Sequence, residues 1–352
     1  MRFLFDIGHP AHVHLFKNII FTLIKDGHEI KITARDKEVT QVLLTAYGLE
    51  YEDRGKIYTG ILSKAFGMIQ IDLKLFLIAK KFKPDILIGV NNPYIAHVGS
   101  VLRKPVIIFN DTENVPIARV ITYPFVQAIL TPVNFREHID PKKHIKIQGF
   151  KEIAYLHPNY FSPDPNVLEE LSLLPDEKFI IVRFVSWDAT HDIGHHGIRD
   201  KIGFVKTLET YGRVILTSEG DLPQELKPYL IKIHPEKLHD LLSYAMLYIG
   251  EGATMASEAA VLGTPSIFVS SLAGTYGNFI ELEETYDLLY SFTNGNAALE
   301  KSVEILKDKK SKEKWMVKRE RLLKDKIDMT AFIVWFIENY PSSHNKYVST
   351  DV

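Results

Sequence analysis

The stretch Ile249–Pro265 reads IGEGATMASEAAVLGTP and is the part of this 352-residue chain that decides its fold class. An apolar strand, predicted at Met246–Ile249, runs into a turn flanked by glycines, and a short helix with one internal carboxylate, Glu258, follows. Gly-Thr-Pro then leads into a second apolar strand, predicted at Ser266–Val269. This order of strand, glycine turn, helix and strand predicts an α/β domain with a parallel sheet.

The same turn has the composition of a phosphate site. Glycines let the backbone approach a phosphate closely, and amides at a helix start meet an anion at the positive end of the helix dipole. A carboxylate farther along the helix can accept hydrogen bonds from ribose hydroxyls. We therefore predict that a nucleotide is bound by Gly250, Glu251, Gly252, Ala253, Thr254, Met255 and Glu258.

Composition narrows the class of protein. The length suits two domains of medium size, and 46% hydrophobic with 24% charged residues is typical of a soluble globular protein. A formal charge of -2 gives no reason to expect nucleic acid as a partner. Without cysteine there is no disulfide framework, thiolate zinc site or cysteine nucleophile. The N-terminus is charged within six residues and no apolar run is long enough to span a bilayer, so a cytoplasmic location is expected.

Short apolar runs alternate with longer segments of helical period along the chain, as in β-α-β units around a parallel sheet. In the first half, strands are predicted at Arg2–Ile7, Glu29–Thr33, Asp85–Val90, Val106–Phe109 and Ala128–Leu130, and helices at His14–Lys25, Lys37–Tyr47, Asp72–Phe82 and Tyr94–Leu102. The second half repeats the pattern, with strands predicted at Phe179–Phe184, Arg213–Thr217, Tyr229–Ile233, Met246–Ile249 and Ser266–Val269.

This repetition predicts two doubly wound, Rossmann-type domains, 1–157 and 166–326, with substrate between them at the carboxyl ends of the strands. The join is placed at His157–Pro165, where prolines and polar residues disfavour regular structure. The apolar helix within 327–341 is expected to cross back onto the first domain, with packing on its own domain as the alternative. The polar segment 342–352 is expected to fray.

Several short sequences spread over nearly the whole chain resemble one family. They are Asp6–His14, Lys83–Asp85, Asp111–Glu113, Gly149–Leu156, Val182–Trp187 and Gly252–Glu258. The chain resembles the DUF354 family and, more distantly, the GT-B architecture of MurG-like glycosyltransferases and non-hydrolysing UDP-N-acetylglucosamine 2-epimerases. The resemblance implies a nucleotide sugar, most of all a UDP-sugar, bound by the C-terminal domain. The family name does not fix a reaction.

Two histidines follow the first strand. His9 and His12 lie where strand one meets helix one, and the resemblance to MurG-like transferases implies a histidine that faces the reacting sugar there. A histidine can remove a proton from an acceptor hydroxyl or from water. The alternative is that either ring caps the helix or binds backbone.

Two carboxylates follow another strand of the first half. Asp111 and Glu113 come after the strand Val106–Phe109 and Asn110, and could act as acid or base, orient a histidine or bind sugar hydroxyls. The resemblance to the epimerases favours a catalytic role, and a helix cap is the alternative. The segment Asn91–Tyr94 could line the same pocket or only form a turn.

Three further residues are assigned to the nucleotide sugar. Arg183 can neutralise a diphosphate with its planar fork, or pair with an acid inside the sheet. Ser186 follows it, and the resemblance implies that His234 lies at the nucleobase. The histidines of His191–Gly197 could surround a metal, but its glycines favour a loop that closes over substrate, so no metal and no tightly bound cofactor is expected.

The segment Gly60–Lys83 mixes apolar residues with lysines, which suits either ordinary packing or peripheral contact with a membrane that supplies a lipid-linked acceptor. Three functions remain open. The first is a glycosyltransferase in surface polysaccharide or glycoconjugate assembly. The second is an epimerase or hydrolase of the nucleotide sugar, and the third is a non-catalytic nucleotide-sugar binding protein. The sequence does not predict the oligomeric state.

Overall fold

The computed structural model describes residues 1–35, 38–55, 61–113, 116–174, 176–185 and 197–348. The chain divides into two compact units. Unit 1 consists of Met1–Tyr155 together with Ile327–Val352, and unit 2 consists of Leu156–Lys326. Each unit has one parallel sheet with helices around it, as the two-domain α/β prediction requires.

Unit 1 has a seven-stranded parallel sheet in the order β3-β2-β1-β4-β5-β6-β7. Its central strands are apolar along their length because both faces are covered, as in other parallel sheets. The strands are β1 (Arg2–Ile7), β2 (Glu29–Ala34), β3 (Glu52–Asp53), β4 (Ile86–Val90), β5 (Val106–Phe109), β6 (Ala128–Pro132) and β7 (His144–Ile147). The helices before the second unit are α1 (Pro10–Lys25), α2 (Glu38–Ala46), α3 (Ile61–Phe82), α4 (Pro93–Leu102), α5 (Pro116–Thr122) and α6 (Ile153–Leu156).

Unit 2 has a five-stranded parallel sheet in the order β12-β11-β10-β8-β9. Its strands are β8 (Phe179–Phe184), β9 (Arg213–Ser218), β10 (Leu247–Gly250), β11 (Ser266–Val269) and β12 (Leu289–Phe292). Its helices are α7 (Asn166–Glu170), α8 (Lys201–Glu209), α9 (Leu238–Tyr244), α10 (Ala253–Leu262), α11 (Gly277–Ile280), α12 (Gly295–Lys307) and α13 (Ser311–Asp325).

The alanine-rich helix α10 is buried from Met255 to Leu262, because its small side chains let neighbouring elements approach it closely. It ends at Gly263, which adopts the left-handed conformation (φ +77°) that glycine tolerates best. The helix therefore begins and ends at the glycines that mark it in the sequence.

The C-terminal helices belong to unit 1. α14 (Met329–Glu338) packs against α1, and Thr330 Oγ1 donates to the backbone oxygen of Ala154 at 2.7 Å. The expectation that a C-terminal helix returns to the first domain is confirmed. The expectation that the chain frays from residue 342 is wrong over Ser342–Val348, which forms α15 and is held by a 2.6 Å bond from Ser343 Oγ to the Phe336 oxygen.

The strand predicted at Tyr229–Ile233 is also wrong. A 3-10 helix covers Gln224–Tyr229, and the chain then touches β9 at a single bridge between Leu216 and Leu230. Pro228 has no amide proton for a ladder and favours the turn. The sequence interpretation also missed the short strands β3, β7 and β12.

Candidate functional site

The glycine turn of unit 2 lies at the carboxyl end of β10, in the middle of the sheet. A Cβ atom on Gly250 would lie 2.7 Å from the Arg183 backbone oxygen, and one on Gly252 would lie 3.1 Å from Cδ and Nε of the same arginine. Glycine is needed at 250 because the turn runs against the neighbouring backbone, whereas a Cβ at 252 would require only the Arg183 side chain to shift. Gly252 is also the N-cap of α10 and supplies no side-chain acceptor, so it leaves the first-turn amides, which include those of Ala253, Thr254 and Met255, without a bond from an N-cap side chain, as suits an anion site.

A buried tyrosine supports this turn from below. The Tyr248 hydroxyl donates to the Gly252 oxygen at 3.1 Å, and burial raises the pKa of Tyr248 far above its usual value. The phenol therefore stays neutral and keeps its proton for this bond. This hydrogen bond fixes the position of the turn relative to β10.

Arg183 lies in β8, directly beside the turn. Its Nη2 pairs with Glu219 at the end of β9, and its Nη1 lies 3.4 Å from Thr217 Oγ1. The pairing with an acid, one of the two interpretations left open by the sequence, is therefore present. A fifth of the side chain is still exposed, so a further oxyanion can reach the guanidinium, and its contact with phosphate stays a prediction.

The carboxylate of Glu251 is used inside the protein. Its Oε2 accepts from the amide of Val185 at 2.9 Å and its Oε1 from the amide of Ile198 at 2.7 Å. A Cβ atom on Gly197 would overlap the same carboxylate. Glu251 thus binds the residues on both sides of the segment 186–196, and its contact with a nucleotide stays a prediction.

Glu258 lies on the buried side of α10 and is 3% exposed. Its Oε1 is 3.0 Å from Nε2 of His239 in α9, and the edge of the Phe161 ring packs against that histidine. The pairing orients the carboxylate, since a histidine that donates Nε2–H fixes which oxygen faces it. Binding of ribose by Glu258 stays a prediction.

Two more residues, His234 and Ser186, were predicted to contact the nucleotide sugar. His234 precedes a 3-10 turn and its side chain is 75% exposed, 3.9 Å from Glu236, so its contact with a nucleobase stays a prediction. Ser186 lies outside the described residues, as do His191, His195 and His196. Unit 2 also contains a cavity of about 540 Å³, lined by residues within 197–207 and 293–299. Its volume is in the range of small-ligand pockets.

In unit 1, a buried polar cluster lies at the carboxyl end of β1. Asp6 is fully buried and accepts a 2.6 Å hydrogen bond from Thr33 Oγ1 and a second from the side-chain amide of Asn92. Arg54 Nε lies 2.9 Å from Asp6 Oδ1. Asn92 also caps α4 by accepting from the amide of Tyr94 at 3.0 Å, so the turn interpretation of this segment holds.

The two predicted catalytic histidines are bound to backbone. His9 is the N-cap of α1, and its Nδ1 accepts from the Ala11 amide at 3.2 Å. His12 Nδ1 accepts from the Gly8 amide at 3.3 Å. A neutral imidazole whose Nδ1 accepts carries its proton on Nε2, so both rings present a donor rather than a base. The capping alternative therefore describes His9, and a role as general base would require these bonds to break.

The predicted carboxylates follow β5, two strands away from β1 in the sheet. Asp111 Oδ2 pairs with Lys151 Nζ at 2.7 Å, and its Oδ1 lies 3.4 Å from Thr112 Oγ1. Glu113 is 5% exposed and accepts from the Arg136 amide at 3.4 Å. Asp111 is held by a cation from the segment after β7, and its catalytic role stays a prediction.

Clusters of metal ligands and membrane-spanning helices are both absent from the described ranges. No group of three or more histidine, aspartate or glutamate side chains suited to a metal occurs within them. No helix in the same ranges combines the length and apolarity needed to cross a bilayer.

Sequence reasoning missed the partners that hold these groups. Glu219 and Lys151 both follow strands of a parallel sheet, and the rule that such ends share one edge could have found them. His239 lies in the first turn of α9 rather than at a strand end, and gave no comparable signal.

Known structures with the same architecture include the Neisseria meningitidis UDP-GlcNAc 2-epimerase bound to UDP-GlcNAc, at TM-score 0.66 and 14% identity over 96% of this chain and 100% of that chain. The Methanocaldococcus jannaschii UDP-GlcNAc 2-epimerase in complex with UDP-GlcNAc and UDP has a TM-score of 0.63 and 15% identity, over 88% of this chain and 94% of that chain. The spinosyn forosaminyltransferase SpnP has a TM-score of 0.62 and 16% identity, over 98% of this chain and 99% of that chain. These likenesses place the chain in the GT-B fold.

Sequence comparison identifies relatives directly. An uncharacterized protein of Methanocaldococcus jannaschii is 24% identical over 274 residues, which cover 74% of this chain and 80% of that protein. The family described as "Protein of unknown function (DUF354)" matches residues 1–334. A match over that length shows that the chain belongs to the DUF354 family.

Proposed function

We propose that this protein is an enzyme that binds a nucleotide diphosphate sugar through unit 2 and transfers the glycosyl group to an acceptor. The observation that carries the proposal is the meeting of Gly252 with Arg183 at the start of α10. There a side-chain-free backbone, the start of a helix and a guanidinium share one small region, which is the composition of a diphosphate site. The fold shared with enzymes solved with UDP-GlcNAc or UDP supports the same ligand class.

In the proposed reaction, the bond between the anomeric carbon and the phosphate oxygen breaks, and its electron pair leaves with the nucleoside diphosphate. The acceptor oxygen forms the new bond to that carbon and gives its proton to a base. Asp111 is our candidate base, because its carboxylate is fixed by Lys151 and keeps a second oxygen toward Thr112. His9 and His12 would then donate hydrogen bonds from Nε2 rather than accept the proton.

A second candidate is epimerisation or hydrolysis of the donor itself. Two carboxylates, Asp111 and Glu113, lie in the same short segment after β5, and a mechanism that moves protons on the sugar needs two such groups. The epimerases of the same fold make this the main alternative to transfer.

A panel of UDP-, GDP- and CMP-sugars incubated with the purified protein tests the proposal. Turnover that requires an added sugar or lipid-linked acceptor supports transfer. Free or rearranged sugar without acceptor supports the second candidate, and tight binding without turnover under any condition supports a binding protein. No binding of any nucleotide sugar would refute all three.

A membrane-bound acceptor is part of the proposal because α3 carries an exposed apolar stripe. Phe66, Ile69, Leu73 and Leu77 are between 59% and 66% exposed, and their spacing of three or four residues places them on one face of the helix. Lysines occur on the same helix at 74, 80 and 81. An apolar face with neighbouring cations suits the surface of an anionic bilayer.

A further inference from the structure

The side chain of Arg54 is 3% exposed, yet its hydrogen-bonding capacity is only partly used. It forms an ion pair with Asp6, which already accepts bonds from Thr33 and Asn92. Its Nη1 is buried and has no hydrogen-bond partner among the residues that the structure describes. A buried guanidinium N–H without a partner is costly, so this group needs an acceptor that the described chain does not supply.

A second arginine, Arg35, lies at the carboxyl end of β2, the strand next to β3 and β1. Arg35 follows β2, and its amide donates to the Ile7 oxygen at 2.9 Å, which holds it beside the β1–α1 turn. Its Nε is also buried without a partner within the described ranges. Burial lowers the pKa of Arg35, and the positive charge of Arg54 lowers it further. Two like charges are therefore brought together at some electrostatic cost.

Tyr94 and Gly8 define the space around the two arginines. The Arg54 guanidinium lies over the Tyr94 ring, 4.6 Å from its centroid. A Cβ atom on Gly8 would lie 3.2 Å from Arg54 Nη2, so the bare backbone of the turn approaches the cation. The start of the 16-residue helix α1 adds the positive end of its dipole at this turn.

The unused guanidinium N–H groups indicate what would occupy this space. The ion pair with Asp6 accounts for the burial of the Arg54 charge. It accounts neither for Arg35 nor for the unused Nη1 of Arg54. The charge of Arg54 also acts on Asp72, so the unused N–H groups, rather than a count of charges, identify the ligand as an oxyanion. Arginine forks bind the oxygen pairs of carboxylates and phosphates in particular.

We propose that Arg35 and Arg54 bind an oxyanion, a carboxylate or a phosphodiester, carried by a second substrate at unit 1. The assignment of that substrate as the glycosyl acceptor rests on the function proposed above. The binding of the oxyanion itself does not.

The test uses the full chain and three variants. Arg35→Gln removes the more accessible cation, and Arg54→Lys keeps a charge for Asp6 while removing the fork. Arg103→Gln, at an exposed arginine after α4, is the control. Thermal melting and calorimetric titration are followed with sodium glucuronate and with sodium dimethyl phosphate, against sodium chloride at equal ionic strength. UDP is titrated separately into every variant.

Wild type and Arg103→Gln should bind at least one of the two oxyanions, and Arg35→Gln should bind it about 10- to 100-fold more weakly, since one charge-assisted contact is lost. Arg54→Lys should lose affinity similarly while it melts as a folded protein. Glucuronate binding would identify a carboxylate acceptor, and dimethyl phosphate binding a phosphodiester. No binding of either probe, or equal binding by wild type and Arg35→Gln, would overturn the inference.

The UDP titration separates this inference from the proposed function. If UDP does not bind but the oxyanions do, the anion site stands and the nucleotide proposal fails. If Arg35→Gln weakens UDP as much as it weakens the oxyanion, the arginines belong to the nucleotide site and the acceptor assignment is overturned.

Discussion

Substitution of Gly252 by alanine should weaken nucleotide binding without unfolding the protein. Gly252 has φ -86° and ψ 109°, which alanine adopts without strain, and a glycine-to-alanine change at such a site adds about 0.4–1 kcal/mol of stability through the unfolded state. The new Cβ would lie 3.1 Å from Arg183 Cδ and Nε, so the arginine must shift by a few tenths of an ångström. These two effects oppose each other, and the free energy of unfolding should change little.

The effect on affinity should be larger. The shift changes the position of Arg183 relative to the start of α10, and loss of one charge-assisted hydrogen bond to the phosphate costs about 1.5–3 kcal/mol. The dissociation constant for UDP should therefore rise by about 10- to 150-fold, as measured by calorimetry, with the melting temperature followed by circular dichroism.

Gly295→Ala is the matched control, because this glycine also begins a helix of unit 2 and its Cβ would meet only Ile198 at 3.6 Å. If Gly252 acts through Arg183, Gly252→Ala combined with Arg183→Gln should bind UDP no more weakly than Arg183→Gln alone. Wild-type affinity in Gly252→Ala, or additive losses in the double variant, would refute the reasoning.

Three further predictions concern other parts of the molecule. Glu258→Gln should stay folded, because its amide oxygen can still accept from His239, but should bind UDP at least about tenfold more weakly; unchanged affinity by calorimetry would retire this ligand. Burial, with a contribution from Arg319, lowers the pKa of Lys312 to about 7, and a lysine in an unfolded chain titrates near about 10.4. Between these values the unfolded state binds more protons, so the free energy of unfolding in urea should rise with pH by up to about 1.4 kcal/mol per pH unit, a slope that Lys312→Met should lose and whose persistence would contradict the assignment. Leu73→Glu should reduce cosedimentation with vesicles rich in phosphatidylglycerol by about tenfold, since burial of a leucine contributes about 1.5–3 kcal/mol, whereas the exposed Leu174→Glu should have no effect; equal behaviour of the two variants would exclude α3 as the docking face.

Hydrophobic periodicity predicted the architecture because buried strands such as β1 and β8 are mostly apolar in sequence, with Asp6 and Arg183 as polar residues near their carboxyl ends. It failed at short edge strands, where only a few residues pair. The strand β12 has four residues and is partly exposed, so its pattern is weak. A longer apolar run at Tyr229–Ile233 was misleading, because Pro228 and the next turn leave it a single bridge to β9.

The sequence predicted which residues belong to the candidate site, but not which groups their side chains contact. The glycine turn was found because glycines at a strand-to-helix junction have few structural alternatives. The actual role of Glu251 was not predictable, since its partners are backbone amides of Val185 and Ile198, and any residue there would supply them. Arg35 and Arg54 were missed because each looks like an ordinary surface cation until β2 and β3 are placed beside β1.

The two hydrogen bonds of Glu251 have a consequence for how this scaffold can diversify. Because one carboxylate fixes Val185 and Ile198, the span between them is set by that side chain rather than by the intervening sequence. Insertions or exchanges within 186–196 therefore need not disturb the sheet, as long as this acid is kept. Natural selection, or a protein engineer, can therefore change the sequence of this segment while the sheet of unit 2 keeps its structure.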